Sequence, residues 1–235
     1  SFLAARILLD KINANMIISG AFGLFEKKTV IAVGGYDNST MGEDMELVVR
    51  LHEFSRMNRK PYKIHFAQDA ICWSQTPEKL SELCKQRKRW QRGLFQCMWG
   101  HRKMLANPRY GAVGLLSYLY FLLYELLSPF IELLGVLTMV LSVVMDMLNV
   151  KFMLVFLACY ALYGILLTLT AYFSRIYTID QKLSFRELIL AIISCFFETT
   201  FLRFSLAFVR ATAFVGYKKN KLNWGKLERK KMNKI

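Results

Sequence analysis

Two stretches of this chain carry almost no charge, and they limit its fold more than any other feature. Residues 111–145 are a run of 35 whose only charges are Glu125 and Glu132. As one straight helix that run would be about 52 Å long, well beyond the ~30 Å hydrocarbon core of a bilayer. Pro129 offers a kink, which predicts a shallow or tilted first part and a crossing second part, a bent helix over 111–146. Residues 152–174 add 23 uncharged residues and predict a membrane span. Asp146, Asn149 and Lys151 make the tight turn between the two runs, on the outer side. Arg175, Lys182 and Arg186 fall in the returning loop, cytoplasmic by the positive-inside rule.

The next apolar segment, 187–215, is interrupted by Glu198, Arg203 and Arg210. A full crossing would bring three charges to hydrocarbon at a few kcal/mol each, so a shallow, in-plane or re-entrant helix is expected. Glu125 and Glu132, seven apart, fall near one helical face. Two readings of them stand: functional acids inside the membrane, or acids that face the rest of the protein or snorkel at the interface. The tail from Lys218 is heavily basic and is expected to stay cytoplasmic, against anionic headgroups.

The chain has 235 residues, 54% of them hydrophobic, and a net charge of +15. That is too apolar for an ordinary soluble domain and leaves room for a modest globular portion beside a few membrane helices. So large a cationic excess suits either nucleic acid or the basic loops of a membrane protein; the long apolar runs favour the second, with membrane lipids and not nucleic acid as partner. Five cysteines are scattered without a CxxC pattern, which reads as reduced, structural thiol. Ser1 opens within a patterned segment with no initiator methionine or signal peptide, so the chain is expected to be a piece of something longer.

Ahead of the apolar runs, Phe2 to Ile12 predicts a helix and Met16 to Ile18 a short strand. Ser19 to Phe25 holds Gly20 and Gly23 in a β-type run, either a bulged core strand or a place where another backbone or a ligand comes close. A short helix from Glu26 should close on Gly34 and Gly35. Thr40 and Glu43 fit a capping box ahead of a helix over 44–54, with Met45, Val48, Val49 and Leu51 buried. The alternation of Ile64, Phe66, Ile71 and Trp73 predicts a strand over 62–73. Thr76-Pro77-Glu78 marks the start of a basic amphipathic helix running toward Leu105, with Leu80, Leu83, Cys84, Leu94, Phe95 and Met98 inward. Such a helix just before a membrane run is expected to lie along the cytoplasmic surface. His52, His65 and His101 stand isolated and read as packing or surface residues.

Within that helix lies Gln86-Arg87-Lys88-Arg89-Trp90, and forty-odd residues upstream stands Gly42-Glu43-Asp44. An amide, three cations and an indole suit an anionic, sugar-bearing ligand: guanidinium forks for a diphosphate and a flat face for a pyranose ring. Asp44 adds a base. The Glu-Asp pair followed by this pentapeptide resembles the inverting family 2 membrane glycosyltransferases, whose signature ends in Glu-Asp and then Gln-(Gln/Arg)-x-Arg-Trp. The resemblance implies an α/β fold: the later part of a GT-A-type catalytic domain over 1–107, then an α-helical transmembrane region over 108–217 and the basic tail 218–235.

The resemblance also implies roles. Asp44 would be the general base, with Glu43 beside it; Arg89, helped by Arg87 or Gln86, would face the diphosphate of a nucleotide-sugar donor. Trp90 would cradle the terminal sugar of a glycan or lipid-linked acceptor, and the Ser19-Gly20 segment would lie by the acceptor. The Asp-x-Asp that carries Mg2+ or Mn2+ in the family has no counterpart before Asp44, so metal ligands are expected upstream of this chain. On that reading the chain alone is inactive, and the whole is an enzyme of the cell (inner) membrane with its catalytic part cytoplasmic. A processive polysaccharide synthase of the cellulose, poly-N-acetylglucosamine or hyaluronan type leads. A single-addition transferase on a lipid-linked acceptor and a non-catalytic polybasic scaffold are the competing functions.

Overall fold

The computed structural model describes residues 2–18, 20, 22–59, 63–67, 70, 72, 74–179 and 184–217. Two short helices, α1 (Phe2–Lys11) and α2 (Lys27–Ala32), precede the longer α3 (Glu43–Met57) and α4 (Leu80–Gly100). A helical stretch, α5 (Val113–Leu126), follows with π-turns at both ends. The remainder is α6 (Ser128–Val144), α7 (Val150–Ile179), α8 (Phe185–Phe197) and α9 (Arg203–Ala211), with a π-turn joining the last two.

Helix α3 is the centre of the globular part. Met45 and Val49 pack into a core with Ala14, Met16, Cys97 and Met98, while Leu47, Val48 and Leu51 meet Ile64 on another side. The helix is therefore buried on several faces, not along the single stripe expected of it. His52 packs inside with its Nε2 donating to the Asn15 carbonyl at 2.8 Å, and burial holds its pKa down to about 4. Helix α2 does close on Gly34 and Gly35, whose φ angles of +90° and +75° suit glycine. Arg50 of α3 donates to the carbonyls of Val33 and Gly35 there, tying the two helices together.

Several local expectations need correction. No strand forms among the described residues. Segment 63–67 alternates as expected, with Ile64 buried, but its amides find side chains in place of a neighbouring strand. Ile64 N donates to Asn13 Oδ1 at 3.0 Å and Phe66 N to Asp10 Oδ1 at 2.6 Å. Tyr62, Ile71 and Trp73 lie outside the described residues, and Met16 to Ile18, expected as a strand, belong to no regular element. Thr40 and Glu43 do not form a capping box: Gly42 is the N-cap of α3 and takes no side-chain cap. The Thr40 hydroxyl is engaged elsewhere, donating to Gln96 Oε1 and accepting from Gly42 N. Helix α4 starts at Leu80 after Lys79, not at Thr76, and Leu80 stands exposed in its first turn. The fully buried residues of α4 are Gln91, Gly93, Cys97 and Met98, and the expected Leu94 and Phe95 pack partly buried against the same core.

Among the described residues one helix is long and apolar enough to cross a membrane, Val150–Leu167, and none of that stretch is buried. Helices α5 and α6 together pass the same test but are bent by 46° at their junction, with Pro129 in the first turn of α6. Helix α9 packs against both α6 and α4, so the last apolar segment returns to the globular part.

Candidate functional site

The site is set by the crossing of α3 and α4. Gly93 faces Gly42 so closely that a Cβ on Gly93 would lie 2.7 Å from Gly42 N and 2.9 Å from Gly42 Cα. No larger residue fits without parting the backbones. Gln96, one turn on, accepts from Met41 N at 2.8 Å and from the Thr40 hydroxyl at 3.2 Å. The start of α3 is thus pinned to the middle of α4. The first turn of α3 carries Glu43, Asp44 and Glu46, where the exposed amides of the helix end favour negative charge.

Asp44 is held by two backbone amides: Met45 N donates to Oδ1 at 2.8 Å and Gly20 N to Oδ2 at 3.2 Å. A Cβ at Gly20 would stand 3.3 Å from Asp44 Oδ2, so glycine allows this close approach. The expected ligand-side segment and the expected base therefore meet. Ser19 lies outside the described residues.

Beside them opens a cleft of about 420 Å³, lined by Glu43 and Asp44 from α3 and by Arg87, Arg89 and Trp90 from α4. Arg87, Trp90, Gln91 and Leu94 stand at i, i+3, i+4 and i+7, one helical face, and all four line it. Gln86, one position before that face begins, does not. The Arg87 guanidinium sits 4.8 Å over the Trp90 ring, and its Nε is buried with no hydrogen-bond partner in the protein. Burial works against that charge, while Glu125 and Glu198 favour it. Trp90 is 49% exposed, leaving much of its surface open to a ligand.

Four further residues line the cleft: Arg6 and Gln91, which the sequence did not single out, and Glu125 and Arg210, which it marked only as charges in apolar runs, Glu125 with a functional reading left open. Arg6 of α1 is buried and donates to the Ile17 carbonyl. Burial works against its charge, which Glu125 and then Asp44 support. A lone arginine in the apolar helix FLAARILLDK was the available signal. Gln91 directly follows the pentapeptide. Glu125 and Arg210 are opposite charges in separate apolar runs, and pairing them would have led to the cleft. The arrangement offers a carboxylate to take a proton, guanidinium groups for an anion and an aromatic surface for a ring.

Residues 2–209 match the model of the glycosyl transferase family group 2. The poly-beta-1,6-N-acetyl-D-glucosamine synthase of Staphylococcus aureus is 37% identical over 90 residues, 38% of this chain and 19% of that protein. The protein of the same name from Staphylococcus epidermidis is 36% identical over 90 residues, with the same shares. The matched part thus spans about a fifth of the length of these curated relatives. No solved structure matches the chain. The family match takes in the acidic pair and the pentapeptide that share the cleft, and the chain belongs to glycosyl transferase family group 2.

Proposed function

We propose that this chain supplies the base and acceptor side of a membrane-bound inverting glycosyltransferase that extends a glycan from a nucleotide-sugar donor. One observation carries the reading: Asp44 and the pentapeptide's Arg87, Arg89 and Trp90 line the same cleft. Asp44 takes the proton of the acceptor hydroxyl as that oxygen attacks the anomeric carbon from the face opposite the departing diphosphate. Arg89 and Arg87 offset the charge that grows on the leaving group, and Trp90 stacks on the acceptor ring. The two amides on Asp44 orient its carboxylate before any substrate arrives.

A Mg2+ or Mn2+ brought with such a donor would help neutralise the departing diphosphate. Among the described residues no three His, Cys, Asp or Glu side chains converge as ligands, and both Asp44 oxygens already accept amides. The apolar α7 and the bent α5–α6 pair support a membrane location with the cleft on the cytoplasmic side, where nucleotide sugars are made.

The test uses the full-length protein in membrane vesicles with UDP-N-acetylglucosamine as the first donor probe. Chain-length analysis should show polymer with little free monosaccharide. Products one sugar longer than a lipid acceptor would replace polymer extension by single addition. No product from any of a panel of nucleoside diphosphate sugars would overturn the transferase reading.

A further inference from the structure

The charges in the apolar segments form an ordered arrangement. Arg210 pairs with Glu125 at 3.7 Å and Arg203 with Glu132 at 2.8 Å. Each partner set is seven residues apart and runs in opposite chain order, giving an antiparallel ladder of two rungs. The rungs differ. The Arg203–Glu132 rung is half exposed on the arginine side, with Arg203 also over the Tyr160 ring. The Arg210–Glu125 rung opens into the cleft.

Arg210 Nε donates to Gln91 Oε1 at 2.9 Å, and a terminal nitrogen donates to the Glu125 main-chain carbonyl. Gln91 is 2% exposed and donates from Nε2 to the Leu126 carbonyl at 2.9 Å. The amide of Gln91 is thus read from both ends, by α9 and by α5. A second link lies one residue on, where Arg92 Nε donates to the Ala213 carbonyl at 2.6 Å. A buried side chain held from two sides in this way fixes the rotation of the helix that bears it. On that helix Gln91 follows Trp90 directly and lies one turn from Arg87. Arg210 itself stands one position beyond the family match.

We propose that Arg210 is a positioning residue of the transfer site: through Gln91 it sets the rotation of α4 and so aims Trp90 and Arg87 into the cleft opposite Asp44. The last apolar segment is on this account part of the catalytic apparatus as well as an anchor. The inference rests on the transfer function proposed above.

Transfer to glycan and transfer to water separate it from a general folding role. In the full-length protein with UDP-N-acetylglucosamine, Arg210→Gln should lower glycan formation about tenfold or more, because a small misplacement of the acceptor platform is costly. Release of UDP to water needs the Arg87 and Arg89 charges but no acceptor platform, so it should fall less than about threefold: Arg89 still offsets the leaving group, while the misplaced Trp90 is felt only by the acceptor. Arg210→Lys reaches fewer of the acceptors and should lie between. Equal losses in both reactions, or no loss in either, would overturn the assignment. If Arg210→Gln does not fold, Gln91→Leu carries the same comparison. Should the wild type transfer nothing, the functional reading fails by itself, and melting temperature then judges the node. Arg210→Gln and Gln91→Leu should not add in the double variant, because they break one unit; additive losses would sink it.

Discussion

The crossing of α3 and α4 and the apolar bundle of α6, α7 and α8 are built on opposite principles. At the crossing, backbones touch through two glycines, and polar contacts from Gln96 and Gln91 tie α4 to the start of α3 and to α9. In the bundle, large apolar side chains such as Leu134, Val143, Phe152 and Leu166 are more than half exposed, and the candidate span of α7 has nothing buried. Position is held by contacts within the protein in the first region, whereas the second leaves most of its apolar surface uncovered. Substitutions in the two regions should therefore fail in different ways.

Asp44→Asn in the full-length protein should show the largest effect. The amide keeps the shape but cannot take a proton, so turnover should drop by about 10²–10⁴ with the fold intact. Steady-state kinetics beside donor binding would measure it; more than about a tenth of wild-type turnover would rule out a base role. Gly93→Ala comes next. A Cβ 2.7 Å from Gly42 N must push the helices apart, and overpacking of this kind costs about 1–3 kcal/mol, only partly offset by alanine's better helix propensity. Its counterpart is Gly135→Ala in α6, where nothing lies within 4 Å of the added Cβ. That change should be neutral or stabilising by up to about 1 kcal/mol. Melting curves on the pair would break the comparison if both behaved alike.

Much of the site was legible because chemistry and helical spacing coincide in the pentapeptide: Arg87 and Trp90 sit on one face and both reach the cleft. The C-terminal glycines of α2 were legible for a similar local reason, since left-handed backbone wants glycine. The strand at 62–73 was read from alternation, and alternation does put Ile64 inside. A ladder, however, depends on a partner strand, and here Asn13 and Asp10 take the amides. The capping box at Thr40 failed because a contact 56 residues away, to Gln96, claimed the hydroxyl. Glu125 and Arg210 were visible as charges, but their pairing spans 85 residues and no local pattern encodes it. Local signals survive folding where nothing distant competes for the same atoms.

The two rungs of the charge ladder allow a finer division. Glu132→Gln leaves Arg203 with its tyrosine ring and should cost about 1 kcal/mol or less, because the pair is partly exposed. Transfer activity should stay within about twofold, a change of roughly 0.4 kcal/mol in barrier. A large activity loss from this outer rung would erase the distinction between bundle and cleft.

The smallest expected effect is a pH dependence at the far end of the crossing. His101, just past α4, gives Nδ1 to Glu53 at 2.7 Å and approaches Glu46 with Nε2 at 3.4 Å. Burial disfavours its charged form, but the hydrogen bonds and charges of Glu46 and Glu53 outweigh burial, and its pKa is raised above the ordinary 6.5. Arg50, which pairs with Glu46 at 2.7 Å, is the other charge in this cluster. A base with a raised folded pKa binds its proton more tightly in the folded state. Its contribution is therefore complete below pH 6.5 and is lost as pH rises through the raised value. The link between α3 and α4 should weaken on the alkaline side, by about 1 kcal/mol at most for such a partly wet pair. The difference in melting temperature between wild type and His101→Gln should be largest near pH 6 and shrink toward pH 9. A gap that stayed constant, or grew with pH, would mean that the imidazolium does not hold the two helices together, and that the glycine contact and Gln96 suffice.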